Sequence, residues 1–342
     1  MNILCIDVGS GTQDVLLYNP KRELENCPKF ILPSPALYIA SQLENLGNAG
    51  KDVYLYGNNM GGGFKGELQA LVQKGLKVYA HPEAAKALSD HPEKLRSLGV
   101  EITESCPGSA SPVYLTDFDP GAWRVFLHML GLDYPDMVMI AAQDHGYHPN
   151  KSNRQGRFEV WERLLSNTNR RLEDLVFVRP PEEFTRLCSI QKSSGGGPVA
   201  DSGTAAVLGA LFVPEIEARN RETGICLVGI GNSHTVAFLV YQNCIWGVYE
   251  QHTGLLSGAK LWEDLNKFRT GSISFDQVFA DQGHGAMLLD FPENIREFSE
   301  IYVIGPQRGL LQGYEVQFPA PGGDMMLTGC FGLLKAWQYM GD

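Results

Sequence analysis

Ile6-Asp7-Val8-Gly9-Ser10-Gly11-Thr12-Gln13-Asp14 sits between two apolar runs, residues 3–6 and 15–18. Short apolar runs on either side of a Gly/Ser/Thr turn predict a hairpin of buried strands. The first strand delivers Asp7 to a sheet edge. Gly9 and Gly11 let successive backbone N–H groups face an anion, and Ser10 and Thr12 add hydroxyl donors. Asp7 suits hydrated Mg²⁺, which binds through few carboxylates plus phosphate oxygens. The same residue types also serve a plain tight turn, which needs Gly, Ser, Thr and Asp for its geometry alone.

The pattern returns later in the chain. Residues 225–228 read as a strand, Gly229-Ile230-Gly231-Asn232-Ser233-His234-Thr235 as a turn, and residues 236–241 as the returning strand. A third strand at 244–249, a helix at 259–268, strands at 301–304 and 314–318 and a helix at 325–340 give the order β-β-β-α-β-α-β-α. The first part starts alike, with strands at 30–32, 52–56, 77–80 and a continuous apolar one at 137–142. A chain of 342 residues exceeds the size at which a single core usually stops growing. Two domains are expected, 1–213 and 224–342, joined through the charged, turn-rich residues 214–224.

Composition sets outer bounds. With 39 Asp and Glu against 28 Lys and Arg the net charge is −11, which argues against broad binding to nucleic acid or anionic membranes. Glycine is abundant at 38 residues without collagen spacing, so it serves turns and close backbone approach. No apolar run is long enough for a bilayer, and the first residues lack the pattern of a signal peptide. The seven cysteines are scattered, with no Cys-x-x-Cys pair and no closely spaced trio for an iron–sulfur cluster. They read as small buried hydrophobes in a reducing cytoplasm.

Two glycine turns facing one another across a cleft would grip a polyphosphate from both sides. In this arrangement the chain resembles the superfamily of actin, sugar and acetate kinases, and heat-shock chaperone ATPases. The resemblance implies an α/β protein of two ribonuclease-H-like (actin-like ATPase) domains on mixed five-stranded sheets, with ATP and Mg²⁺ between them. Asp7, Gly9, Ser10, Gly11 and Thr12 resemble the superfamily's first phosphate motif. Gly231, Asn232, Ser233 and Thr235 resemble its other phosphate motif, followed by a helix-opening Gly258. The adenosine motif resembles Val303-Ile304-Gly305-Pro306-Gln307-Arg308, with Gly322-Gly323-Asp324 and Thr328-Gly329-Cys330 completing the base pocket. One departure stands out: the turn of the later motif normally opens with aspartate, and this chain has Gly229, so a metal-facing carboxylate is missing there. Ala141-Ala142-Gln143-Asp144-His145-Gly146 and Val199-Ala200-Asp201-Ser202-Gly203-Thr204 also resemble a narrower bacterial and archaeal family. Some of its members carry a label relating them to the pyruvate formate-lyase activating enzyme, for which the cysteine spacing offers no chemistry.

Gln143 and Asp144 follow the apolar strand at 137–142, where open α/β sheets place ligands. By resemblance Asp144 is the general base and Gln143 a water-positioning alternative; the other reading is a strand-end turn in which Asp144 caps the next segment. Asp201 opens a small-residue helix, as its N-cap or as a second carboxylate toward Mg²⁺. Asp144, His145 and His148 would make the site of a metal-dependent hydrolase, although Pro149 opposes the helix that zincin spacing needs. The basic stretch Lys151, Arg154, Arg157, Arg163, Arg170 and Arg171 is interrupted by acids and reads as a solvated helix with ion pairs. Gly61-Gly62-Gly63 reads as a flexible loop or an anion or carbonyl site, and Lys260 as a solvated lysine within reach of phosphate. The expected partners are a nucleotide and a small-molecule acceptor, with no nucleic acid or membrane. The leading expectation is an ATP-binding, Mg²⁺-dependent phosphotransferase or ATPase, and the rival is a non-catalytic nucleotide sensor or assembly module.

Overall fold

The computed structural model describes residues 1–167 and 169–341. Strands β1 (Ile3–Val8), β2 (Thr12–Tyr18) and β3 (Lys29–Pro33) open the chain as an antiparallel meander. Four strands follow, β4 (Val53–Gly57), β5 (Val78–Ala80), β6 (Val100–Ile102) and β7 (Ser111–Leu115), before β8 (Met137–Ala142), β9 (Val176–Phe177) and β10 (Val199–Ala200). The second half carries β11 (Ile225–Ile230), β12 (His234–Tyr241), β13 (Cys244–His252), β14 (Gly285–Leu288) and β15 (Glu300–Ile304).

The first sheet runs β3-β2-β1-β8-β10-β9 and the second β14-β13-β12-β11-β15. Each is built on the same unit, an antiparallel meander whose first strand takes a parallel neighbour, β8 on β1 and β15 on β11. The registers coincide as well, with Asp7 opposite Asp14 and Gly229 opposite Val236. This is the ribonuclease-H-like, actin-like ATPase fold in duplicate. The first sheet has six strands, because β9 adds an antiparallel edge to the expected five. In the second, residues 314–318 give a single parallel bridge, Tyr302 to Gln317, in place of the strand expected there. Pro319 and Pro321 follow at once, and proline cannot continue a ladder.

Between β3 and β8 lies a third sheet, β6-β5-β4-β7, entirely parallel and with its own apolar core around Leu43, Phe64 and Leu71. Only β4 and β5 are expected from the sequence, since Glu101 interrupts β6 and Pro112 interrupts β7. The segment expected to be a turn-rich link, residues 214–224, contains the helix Pro214–Glu222. Its proline occupies the first turn, where no N–H is needed, and Glu215 and Glu217 lead while Arg219 and Arg221 follow, complementing the helix dipole.

Two helices lace the halves together below the cleft. Ser202–Ala210 packs against β11 and β12 of the second sheet, and the terminal Thr328–Gly341 returns to β1, β2 and β8 of the first. They also pack on each other backbone to backbone. A Cβ on Gly209 would lie 1.8 Å from the Thr328 carbonyl oxygen, and one on Gly332 would lie 1.7 Å from that of Ala205. Only glycine allows this approach. Among the described residues no helix is long and apolar enough to cross a membrane.

Candidate functional site

A cavity of about 660 Å³ opens between the two large sheets, at the ends of β1, β8 and β11. The turn after β1 is closed by the Gly9 N–H donating to the Thr12 carbonyl, at 2.9 Å, and the turn after β11 by Gly231 donating to His234, also at 2.9 Å. Ser34 fixes the first turn by donating through its N–H to the Gly11 carbonyl and through Oγ to that of Ser10. Thr253 fixes the second, its Oγ donating to the Gly231 carbonyl at 2.9 Å. The two turns meet. Ser233 Oγ lies 2.9 Å from Ser10 Oγ, and Gln307 donates to Asn232 at 3.1 Å on the other side.

The first half supplies oxygen. Asp7 accepts a hydrogen bond from Ser202 Oγ at 2.6 Å, and Gly329 leaves it space, because a Cβ there would lie 2.0 Å from the Asp7 carboxylate. Burial pushes the Asp7 carboxyl up to about 7, with the charges of Asp14 and Asp201 adding to the effect and Ser202 and Arg186 opposing it. Asp14, its cross-strand neighbour, is pushed up to about 6 by burial, and its Oδ1 has no partner. These carboxylates therefore lack counter-charge.

The second half supplies nitrogen. Glu250 and His252 lie two apart on β13 and so share one face, and His234 on β12 stands directly opposite His252. His284 arrives from the segment before β14, its N–H bonded to the Glu250 carbonyl at 3.1 Å, and His145 comes across the cleft from the loop after β8. One donor atom from each of His145, His234, Glu250 and His284 falls within 4.8 Å of the others. Burial pushes all four imidazoles below their ordinary range, His234 to about 4 and His284 to about 3, so they are neutral at pH 7.

Behind this cluster lies a buried ion network. Arg157, 1% exposed, sends Nε to Glu250 at 3.0 Å, pairs through Nη2 with Asp201 at 2.9 Å and donates Nη1 to the Asp144 carbonyl at 2.6 Å. Gln143 donates to the other Glu250 oxygen at 2.8 Å. Burial alone would raise the Glu250 carboxyl, but Arg157 and the facing imidazoles overcome it and hold Glu250 well below the usual carboxylate range.

Of the residues expected at the ligand, Asp7, Gly9, Ser10, Gly11, Thr12, Gln143, Asp144, Gly231, Asn232, Ser233, Gly305 and Pro306 all line the one cavity. Three are not brought to it. Thr235 is fully buried and bonds Thr253 at 3.1 Å, which braces the turn from behind. Asp201 caps its helix through the Gly203 N–H and pairs with Arg157, so its oxygens face inward. Gly323 belongs to a short helical turn beside the cavity wall. Asp144 does line the cavity, yet Oδ1 accepts the Gly146 N–H at 2.9 Å and Oδ2 those of Arg186 and Leu187 at 2.9 and 3.0 Å. The trio Asp144, His145 and His148 does not converge, because His148 Nε2 turns back to the His145 carbonyl at 2.7 Å. Arg157, expected on a solvated face, is the most deeply enclosed cation of its helix. The chain has eight histidines; the sequence singles out His145 among the four gathered here, but with other partners, and His234, His252 and His284 escape it because they arrive on separate segments. The spacing Glu250-x-His252 is the one local signal of the cluster.

The sequence pattern of the family described as "Putative pyruvate format-lyase activating enzyme (DUF1786)" matches residues 60–310. No curated protein matches the chain. Among solved structures, the ethanolamine utilization protein EutJ from Carboxydothermus hydrogenoformans is 9% identical, covering 97% of this chain and 89% of its own, with a TM-score of 0.34. A Bacteroides thetaiotaomicron protein with an actin-like ATPase fold is 9% identical over 96% of this chain and 95% of its own, at a TM-score of 0.38. A ROK hexokinase from Thermus thermophilus is 13% identical, with full coverage of both chains and a TM-score of 0.32. Among the described residues no three cysteines converge on a common point.

Proposed function

We propose, from the premise that this chain belongs to the DUF1786 family, that it binds ATP with Mg²⁺ in the cleft between two lobes, residues 1–213 and 224–342. The observation that carries this reading is the meeting of two equivalent turns, joined at Ser10 and Ser233, over a carboxylate pair. Backbone N–H groups of Gly9 to Thr12 and of Gly231 to Ser233 supply the local positive field for phosphate that an acidic chain otherwise lacks. Phosphate between the turns displaces the Ser10–Ser233 bond, so binding is coupled to a small opening of the lobes. Gly305 and Pro306 form the wall next to the second turn and suit the adenosine end.

Asp7 and Asp14 fit Mg²⁺. They are adjacent, buried, short of counter-charge, and one oxygen of Asp14 has no partner. When bound, the ion would offset the charge of the phosphates. Asp201 already has Arg157, so Asp7 is the residue we assign to the metal. Gly61 to Gly63, Lys65 and Lys86, on the segments that connect the inserted parallel sheet, line the same cavity and would form the acceptor pocket of a phosphotransferase. We place the protein in the cytoplasm, where its seven free thiols stay reduced.

The second reading, a nucleotide sensor without turnover, draws on two observations. Gly229 offers no carboxylate, and Asp144 becomes a base only by releasing three backbone N–H bonds. Calorimetry with ATP and Mg²⁺, together with phosphate release over the same concentrations, tests both. Binding with turnover supports transfer, and binding alone supports the sensor. No binding of ATP or ADP with Mg²⁺ contradicts the nucleotide site itself.

A further inference from the structure

We infer that His145, His234, His284 and Glu250 form a binding site for one divalent transition-metal ion, of the Zn²⁺ and Fe²⁺ class, separate from any Mg²⁺ at Asp7. Their four donor atoms lie within 4.8 Å of one another. Ligands of a metal held at about 2.0–2.2 Å sit roughly 3–4 Å apart, so small side-chain rotations complete the shell. His284 is 2% exposed and Glu250 fully buried. The Nδ1 atoms of His284 and His234 have no hydrogen-bond partner, an arrangement that is costly unless something else takes the lone pair.

Charge points the same way. Glu250 shares the guanidinium of Arg157 with Asp201, so a cation at its other oxygen would add to the charge that holds it. Imidazole nitrogen is the commonest protein ligand of a transition metal, and here three imidazoles face one carboxylate. Arg154 lines the same part of the cavity, but its guanidinium is held by the Gly283 and Phe279 carbonyls at 2.9 and 3.3 Å. The outer partners of a metal ligand are also present, since Glu250 is oriented by Arg157 and by Gln143 at 2.8 Å. Three nitrogens and one oxygen suit Zn²⁺ or Fe²⁺, whereas Mg²⁺ prefers an all-oxygen shell. His252 packs behind, its ring centroid 4.7 Å from that of His284. Because His145 belongs to the first half and the other three to the second, the ion would tie the halves together beside the phosphate turns.

The inference does not depend on nucleotide binding, and its test contains no nucleotide. Chelator-stripped protein is titrated with Zn²⁺ by calorimetry in the presence of excess Mg²⁺, and in parallel with Co²⁺ by visible spectroscopy. The expected results are one tight equivalent of Zn²⁺ that Mg²⁺ does not displace, and ligand-field absorption from Co²⁺ that Zn²⁺ abolishes. His284→Ala should weaken Zn²⁺ by at least about tenfold and His234→Ala/His284→Ala should abolish the site, while His148→Ala should match the wild type. Absence of a stoichiometric Zn²⁺ equivalent or of the Co²⁺ spectrum in the wild-type chain overturns the proposal. So does a folded His234→Ala/His284→Ala chain that binds Zn²⁺ as the wild type does.

Discussion

The turns after β1 and β11 share one hydrogen bond and one register, yet they carry opposite chemistry. At the two equivalent cross-strand pairs the first half places Asp7 and Asp14, and the second places Gly229 and Val236. The carboxylate of the second half sits one strand further out, at Glu250, among imidazoles and held by Arg157. The first half thus offers oxygen ligands short of counter-charge, and the second offers neutral nitrogen around a fully ionised carboxylate. Once duplicated, a scaffold holds its backbone geometry while its side chains diverge, because the turn needs only glycine and a closing hydrogen bond.

The largest effect that bears on this contrast is expected at Arg157, which compensates the second half's carboxylate. Arg157→Ala leaves Glu250 and Asp201 buried without their cation, and stability measured by denaturant should fall by about 3–5 kcal/mol. Asp144→Ala comes next. It strands three backbone N–H groups, two of them at the start of the helix Thr185–Ser193, and the loss should be about 2–3 kcal/mol in the same measurement. Nucleotide affinity should survive that change if Asp144 positions its helix and takes no part in binding. A loss of affinity in a folded Asp144→Ala chain would restore it to the ligand.

Removing the asymmetry directly gives a smaller shift. The nearest atom to a Cβ at Gly229 is the Val236 carbonyl oxygen, 3.8 Å away, so a side chain is accommodated. Gly229→Asp restores a carboxylate to the second turn and should raise Mg²⁺-dependent phosphate release or affinity, with stability changed by about 1 kcal/mol or less. If neither rises, the second turn does not face the metal.

The remaining effect is in pH. A carboxyl with a folded value near 7 keeps a proton that the unfolded chain loses near 4, so its burial becomes destabilising as pH rises through that interval. Wild type and Asp7→Asn should therefore have similar stability near pH 4, and the variant should be the more stable at pH 8. Parallel melting curves across that range would show Asp7 to be normally ionised.

Much of the fold is legible in the sequence. The apolar strands 3–6, 137–142 and 225–228 are continuous and end in glycine turns or a polar run, so type and order emerge together. The grouping of Asp7 and Gly9 to Thr12 at the cavity is legible for the same reason, since they are contiguous. The second-half cluster is assembled by tertiary structure from strand ends and two loops, and no local spacing beyond Glu250-x-His252 announces it. Arg157 is hidden by its neighbours, because a run of basic residues reads as solvated whichever one turns inward. Thr235 illustrates alternation, in which the residue after His234 points to the opposite face and braces the turn. The helix Pro214–Glu222 reads as a linker because proline and charge punctuate loops as well as helix starts.

The claim that unites these features is that the carboxylate half organises a metal–nucleotide complex. Calorimetric titration of ATP with Mg²⁺ into the wild-type chain and into Asp7→Asn tests it most directly. The account predicts one site per chain in the wild type, weakened by at least about tenfold, ~1.4 kcal/mol, in the variant. Equal affinity in the two folded proteins, or no heat of binding in the wild type, would contradict it.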